Sequence, residues 1–322
     1  MPRKALSVSR FSSASREGLL EEVLKRAGEL PHKIPVITGP TAAGKSWLAL
    51  ELARQTGGQI VSCDAMQVYR GFDIGTAKAS AAEQAEIPHH LIDILDPCEV
   101  ITVASYTAMA RPLLGELLEK GKKPILCGGS VQYISSLLDG LRFPQVEPDA
   151  DLRALIGDQV DDRGLEASWE LVRSLDPEAA ATLAKADRRR IIRFFELYEQ
   201  TGKTLTELNR ESKKEGPDLP YLPFWVDLTS REALYDRINQ RLDRMLDQGL
   251  VQETAKLMEA FPDYSACPAF RGIGYRELTL FLKGQTSLEE AREQAARASR
   301  RYAKRQQTWL RARRDLHILL LD

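Results

Sequence analysis

The chain has 322 residues, 43% of them apolar and 28% charged, with a formal net charge of −1. That length favours a main domain with a satellite, or two domains, and permits a large buried core. The composition is that of a globular protein, and no apolar run approaches the roughly 20 residues a membrane-spanning helix needs, so no membrane partner is expected.

Residues 1–16 are rich in Ser and basic side chains but lack the apolar core of a secretory signal, so a flexible leader is expected over 1–30. Four short apolar runs follow, at 34–38, 59–63, 90–95 and 124–127, each of the kind a buried parallel strand needs. Segments of helical period lie between them, notably 47–55 and 106–119. The alternation predicts an α/β fold, a parallel sheet with crossover helices. After Gly140 the pattern changes: 141–148 is punctuated by proline, and 149–183 is charged, helical in period and poor in strand signals. A helical insertion is therefore expected over 141–185, with the core built from 31–140 and 186–322. Residues 186–202 read as one helix ended by Gly202, a residue suited to a C-cap, and 217–223 as a loop leading to a strand at 224–228. Helices over 231–249 and 288–311 and a closing strand at 316–321 complete the chain.

The near-neutral charge conceals a basic segment, because residues 292–314 hold nine Lys or Arg against one acid, Glu293. Arg301, Lys304 and Arg305 share a helical face there, and the scarcity of balancing acids favours an RNA surface over a merely solvated one. Tyr302 and Trp309 are expected to anchor that helix in the core. Cys63, Cys98, Cys127 and Cys267 are scattered, with no CxxC pair and no His at metal spacing. Neither a zinc site nor a disulfide framework is expected, and reduced thiols in the cytoplasm fit best. His89 and His90, adjacent on a strand, face opposite ways and are read as structural.

Gly39-Pro40-Thr41-Ala42-Ala43-Gly44-Lys45-Ser46 matches the GxxxxGK[ST] pattern between an apolar run and an amphipathic helix. Its glycines let the backbone wrap around phosphate oxygens. Loop amides and the helix N-terminus supply partial positive charge, Lys45 adds a full one, and Ser46 can hold Mg²⁺. The loop specifies a polyphosphate and leaves the reaction open. A kinase or ATPase needs a second acid at a strand end for Mg²⁺. Asp93 and Asp227 are the candidates, but neither follows a long apolar run, and the strand ending at Cys127 runs instead into Gly128-Gly129-Ser130.

Further motifs follow in order: Ser62-Cys63-Asp64-Ala65-Met66-Gln67-Val68-Tyr69-Arg70, Asp73-Ile74-Gly75-Thr76-Ala77-Lys78, Pro88-His89-His90-Leu91-Ile92-Asp93, Gly128-Gly129-Ser130, residues 187–193, Gly272-Ile273-Gly274-Tyr275-Arg276, and Arg301-Tyr302-Ala303-Lys304-Arg305-Gln306 with Thr308-Trp309. With the phosphate loop they closely resemble the tRNA dimethylallyltransferase family over roughly residues 34–311. The resemblance implies a P-loop NTPase-like core whose loop binds the diphosphate of dimethylallyl diphosphate with Mg²⁺, no nucleotide being hydrolysed. It implies transfer of the dimethylallyl group to the exocyclic amine of the adenine 3′ of the anticodon in tRNA.

On that resemblance Asp64 is the catalytic carboxylate, orienting the amine and taking its proton as the new bond forms. Ser130 keeps the hydroxyl of the family's Gly-Gly-Thr motif, and Arg153 stands for an arginine at the reaction centre. The segments that contact the tRNA anticodon stem-loop are Asp64, Ala65, Met66 and Gln67, then Arg189, Arg190, Ile191, Ile192 and Arg193, and then Arg271, Gly272, Ile273, Gly274, Tyr275 and Arg276. The insertion is expected to form one wall of the RNA channel. A monomer is expected. The sequence departs from the family at Ala65 (usually Ser), at Ala79 (usually Pro), at Ser130-Val131-Gln132, and at Phe194-Phe195 (usually Ala-Leu), which bears on substrate detail and efficiency more than on fold. Three other readings share parts of this pattern: a P-loop nucleotide or nucleoside kinase, an adenylate isopentenyltransferase acting on free nucleotide, and a non-catalytic RNA-binding protein. The kinase leaves the basic C-terminal helix unexplained, and the non-catalytic reading leaves Lys45, Ser46, Asp64 and the Ser130 hydroxyl without a purpose.

Overall fold

The run Ile34-Pro35-Val36-Ile37-Thr38 is buried at four of its five positions, as a parallel strand covered by helices on both faces must be. It is β2 (Ile34–Thr38) in the computed structural model, which describes residues 9–144, 146 and 149–322. The other strands are β1 (Ser9–Ser13), β3 (Gly58–Ser62), β4 (His89–His90), β5 (Lys123–Gly128), β6 (Tyr221–Leu228) and β7 (His317–Leu321). They form one sheet in the order β1-β7-β6-β2-β5-β3-β4, with each pairing parallel. β2 is therefore the central strand.

The first compact unit comprises Met1–Leu137 and Leu219–Asp322. Its helices are α1 (Arg16–Glu29), α2 (Lys45–Thr56), α3 (Ala81–Glu86), α4 (Val103–Glu119) and α5 (Val131–Leu138), the last of which ends at the unit boundary. The second unit, Leu138–Asp218, holds α6 (Ala150–Arg163), α7 (Leu165–Leu175), α8 (Pro177–Thr182), α9 (Arg188–Thr201) and α10 (Leu205–Ser212) around a core of Ile156, Val160, Val172, Ile191 and Phe194. The chain then returns to the first unit with α11 (Arg231–Asp247), α12 (Leu250–Ala260), α13 (Tyr275–Leu282) and α14 (Leu288–Ala312). Side-chain caps set several helix starts: Ser15 begins α1, a Thr102/Ser105 box begins α4 and a Ser287/Glu290 box begins α14.

Several expectations need correction. The flexible leader does not extend over the described part of 1–30: Ser9–Ser13 pairs along β7, and α1 buries Leu19, Leu20 and Val23 in the main core. Residues 1–8 lie outside the described residues, as do Gln145, Glu147 and Pro148. The helical insertion is wider than 141–185, because α9 and α10 pack in its core rather than returning to the sheet. Of the 90–95 run only His90 is strand, at the end of β4; Leu91 and Asp93 have φ of 59° and 52°, a left-handed backbone no strand holds. There the Asp93 carboxylate accepts from Lys78 Nζ at 2.5 Å, which bends the segment into a turn. Cys98 and Cys267 are joined as a disulfide, contrary to the expectation of four reduced thiols. Their separation of 169 residues hides the pairing from the sequence, and the Ala269 N–H donating to Pro97 O at 3.3 Å brings the two segments together. Cys63 and Cys127 remain free thiols, and burial pushes them up to about 12 and about 11. His89 and His90 are structural as expected, bonded to Ile87 O and to Gln59 Oε1.

Candidate active site

Strand register decides which loops meet. Thr38 pairs with Gly128, and Ser62 with Cys127, so β2, β3 and β5 end side by side. The phosphate loop after β2, the Cys63–Gln67 turn after β3 and the Gly128-Gly129-Ser130 turn after β5 therefore emerge together at the carboxyl edge, where open parallel sheets bind ligands. Close packing of the turns demands Gly128, since a Cβ there would lie 2.1 Å from Cys63 O.

The phosphate loop passes into α2 through Gly44 at φ 102°, and no side chain caps that helix. Its first amides are left for an anion. Lys45 Nζ donates to Pro40 O at 2.8 Å, and burial lowers its pKa to about 8, with nearby Arg241 adding to the effect. Two distant side chains shape the loop. Gln306 on α14 accepts from Thr41 N at 2.9 Å and donates to Gly129 O at 2.8 Å. Arg241 on α11 donates to Thr41 Oγ1 at 2.6 Å and to Thr76 O at 3.4 Å. Burial lowers its pKa, and the charge of Asp64 opposes that shift.

Asp64 Oδ1 accepts the Met66 N–H at 2.9 Å, a local turn bond that leaves Oδ2 without a partner among the described residues. The charge on Asp64 opposes the lowering by burial at Lys45 and Arg241 and adds to the raising by burial at Tyr133 and Tyr302. The Ser130 hydroxyl accepts from Ala65 N at 2.9 Å, tying the two turns together. Gln67 accepts from Ser62 Oγ at 2.9 Å and donates to the carbonyls of Thr76 and Ala77, each at 3.3 Å. Tyr302, expected as a core anchor, instead donates to Gly129 O at 3.2 Å at the edge of the site.

Among the expected RNA-contacting residues, Arg271 is exposed and Arg276 is paired with Glu277. Tyr275 is only 1% exposed, so its expected contact with RNA is corrected to an internal role. In the second unit Arg189 is exposed, Arg190 faces Asp187, and the Glu196 carboxylate accepts from Arg153 and Arg193, each at 2.8 Å. Ile191 and Ile192 are buried in that unit's core and present nothing to a ligand. Phe194 stacks on Tyr198 and meets Phe195 edge-on, so the family departure there is one of core packing. The basic stretch of α14 is partly balanced: Arg292 is held bidentately by Asp243 of α11, and Arg300 by Glu293 of its own helix, with a further bond to Asn239 of α11. Arg301, Lys304 and Arg305 remain exposed.

For a metal, the described residues contain no group of three or more His, Cys, Asp or Glu able to hold an ion by themselves. Ser46 is exposed at the start of α2 and its hydroxyl has no partner among the described residues, which fits Mg²⁺ bound largely through substrate phosphates. Asp227 is not free for that role, because its buried carboxylate takes two bonds from Gln307 Nε2, at 3.1 and 2.9 Å, and one from Leu228 N. Two surface cavities of about 350 and 420 Å³ are lined by none of the expected site residues.

Sequence reasoning missed Arg241, which reads as one of several charges on an amphipathic helix. It gave Gln306 no role, although that residue sits in one of the resembling motifs.

A family model described as IPP transferase matches residues 67–313. The chain is 42% identical to a tRNA dimethylallyltransferase of Halothermothrix orenii over 282 residues, 88% of this chain and 85% of the other. Among solved structures it resembles the full-length tRNA isopentenylpyrophosphate transferase of Bacillus halodurans, with a TM-score of 0.64 at 38% identity over 90% of each chain. It also resembles a eukaryotic dimethylallyltransferase captured acting on tRNA, with a TM-score of 0.78 at 27% identity, covering 89% of this chain and 73% of that one. The sheet, the phosphate loop and these matches agree: the chain belongs to the IPP transferase family.

Proposed function

We propose that this chain transfers a dimethylallyl group from dimethylallyl diphosphate to the exocyclic amine of the adenine 3′ of the anticodon in tRNA, releasing diphosphate. The observation that carries this reading is the placement of Asp64 and Ser130 beside a phosphate loop that lacks a free second acid: Asp227 is occupied by Gln307 and Asp93 by Lys78. That speaks against the kinase. Relatives named for tRNA speak against the free-nucleotide and non-catalytic readings.

The allylic carbon–oxygen bond breaks with its electron pair leaving on diphosphate, and the amine nitrogen forms the new bond to that carbon. Amides of the phosphate loop, Lys45 and Arg241 stabilise the charge that develops on the leaving oxygens. Mg²⁺, held by Ser46 and the diphosphate itself, would supply further charge neutralisation. Asp64 Oδ2 orients the amine and accepts its proton as the carbon–nitrogen bond forms. The target adenine must leave its stack, at a cost of a few kcal/mol. The exposed arginines of α9 and the Arg271–Arg276 turn are assigned to gripping the RNA while that happens. The same reading has the chain acting as a monomer in the cytoplasm. Diphosphate release measured by a coupled assay should require tRNA; release from ATP, or none with tRNA present, would overturn the proposal.

Two results follow from the charges. Replacing Arg189 and Arg190 together by Ala should weaken tRNA binding across sequences and reduce the salt dependence by about two phosphate contacts, with the KM for the prenyl donor unchanged. Filter binding at several salt concentrations measures it. The second concerns Lys45. Its pKa of about 8 means that the cation is already present below pH 8, whereas above it binding an anion must take up a proton. The advantage of wild type over Lys45→Ala in pyrophosphate affinity should therefore shrink by about tenfold between pH 7 and pH 9. Using the ratio cancels the ligand's own titration, and a ratio constant over that range would contradict the assignment.

A further inference from the structure

Glu253 on α12 lies outside the set of residues that face the reaction, yet its carboxylate is among the most heavily bonded in the first unit. It accepts from three successive backbone amides of one turn: Asp73 N at 3.3 Å, Ile74 N at 3.1 and 3.0 Å, and Gly75 N at 3.4 Å. The Tyr275 hydroxyl donates to the same carboxylate at 2.5 Å and accepts from Gly75 N at 3.0 Å. Burial and the adjacent Glu253 charge push the Tyr275 phenol well above its usual range, so it stays protonated and donating. No side chain fits at Gly75, since a Cβ there would lie 2.5 Å from the Tyr275 ring.

Three consecutive N–H groups converging on one point form a backbone nest for an anion. Here the nest is filled from within the chain. The opposite side of the turn faces the site. Thr76 O accepts from Arg241, which holds Thr41 of the phosphate loop, and the carbonyls of Thr76 and Ala77 accept from Gln67, which in turn is held by Ser62. Lys78 fixes the far end of the turn on Tyr69 O, Asp73 and Asp93. The surrounding cluster of Phe72, Leu250, Leu257, Tyr275 and Leu278 is apolar. A half-buried carboxylate is a costly way to stabilise such a cluster, and apolar replacement of buried ionic groups is often neutral or better for stability. Apart from the bond from Tyr275, which itself accepts from Gly75 N, the carboxylate's bonds are instead directed at the turn that sets the carbonyls.

We propose that Glu253 and Tyr275 are positioning residues for the prenyl diphosphate, acting through the Thr76 carbonyl on Arg241; this rests on the reading of the phosphate loop as the diphosphate site. Glu253→Gln keeps the shape but replaces one acceptor oxygen with an amide that meets the backbone N–H groups donor to donor. The test is a double-mutant cycle with Arg241→Ala, using pyrophosphate affinity and donor KM as readouts and thermal unfolding to verify the fold.

Glu253→Gln is expected to weaken pyrophosphate binding and raise donor KM about five- to tenfold in the wild-type background, and less than about twofold when Arg241 is already Ala. The affinity for tRNA should not change. An equal loss in both backgrounds, or no loss in either, would overturn the inference. Tyr275→Phe, which removes only the hydroxyl, runs through the same cycle if Glu253→Gln does not fold. Lys45→Ala separates the two levels. No loss of pyrophosphate binding there overturns the site itself, whereas a loss there with none from Glu253→Gln or Tyr275→Phe overturns only the positioning role.

Discussion

Asp64→Ala is expected to lower kcat by about a thousandfold while tRNA affinity stays within about twofold, the range seen when a positioned acid or base is removed. The reason lies in the division of its two oxygens. Oδ1 serves the local turn through the Met66 amide, and Oδ2 remains for the substrate amine. Asp64→Asn keeps the turn bond while losing the proton acceptor, so it should retain the stability of wild type with kcat near that of the Ala variant. Single-turnover transfer to tRNA, with binding measured separately, distinguishes this from an RNA-binding role, in which affinity would fall and kcat would hold.

Lys45→Ala is expected to weaken the binding of pyrophosphate and of the prenyl donor by about 10- to 100-fold, the size of one lost charge-assisted hydrogen bond. Without ligand, Lys45 caps Pro40 O and gives up part of its charge to burial. A diphosphate in the loop would reverse both conditions. Isothermal titration with pyrophosphate measures the loss, and an unchanged affinity would remove the loop from the donor site.

Much of this was legible because it is written locally. The phosphate loop and the strands at 34–38 and 124–127 are contiguous patterns, and a parallel sheet buried on both faces gives unbroken apolar runs. β1 gives no such run: Ser9–Ser13 carries one apolar residue and alternates between half-buried and exposed positions, as an edge strand does. Its place is fixed by pairing with β7 and by Ser9 Oγ against His317 Nδ1 at 2.6 Å, a contact spanning 308 residues. The run at 90–95 looked like a strand because its apolar content is that of one, but the pull of Lys78 on Asp93 and the left-handed Leu91 and Asp93 are tertiary effects. Arg241, Gln306 and Glu253 share a further difficulty. Each lies on an amphipathic helix among other polar residues, and only the fold shows that its partner is a loop more than 170 residues away. Tyr275 stood in a motif read as touching RNA, and the structure turns it inward onto Glu253.

The central claim is tested most directly by incubating the purified chain and Mg²⁺ with radiolabelled dimethylallyl diphosphate and, in parallel, unmodified tRNA or free AMP, then counting label in each acceptor. The account expects label in tRNA alone; label in AMP alone, or in neither acceptor, would contradict it.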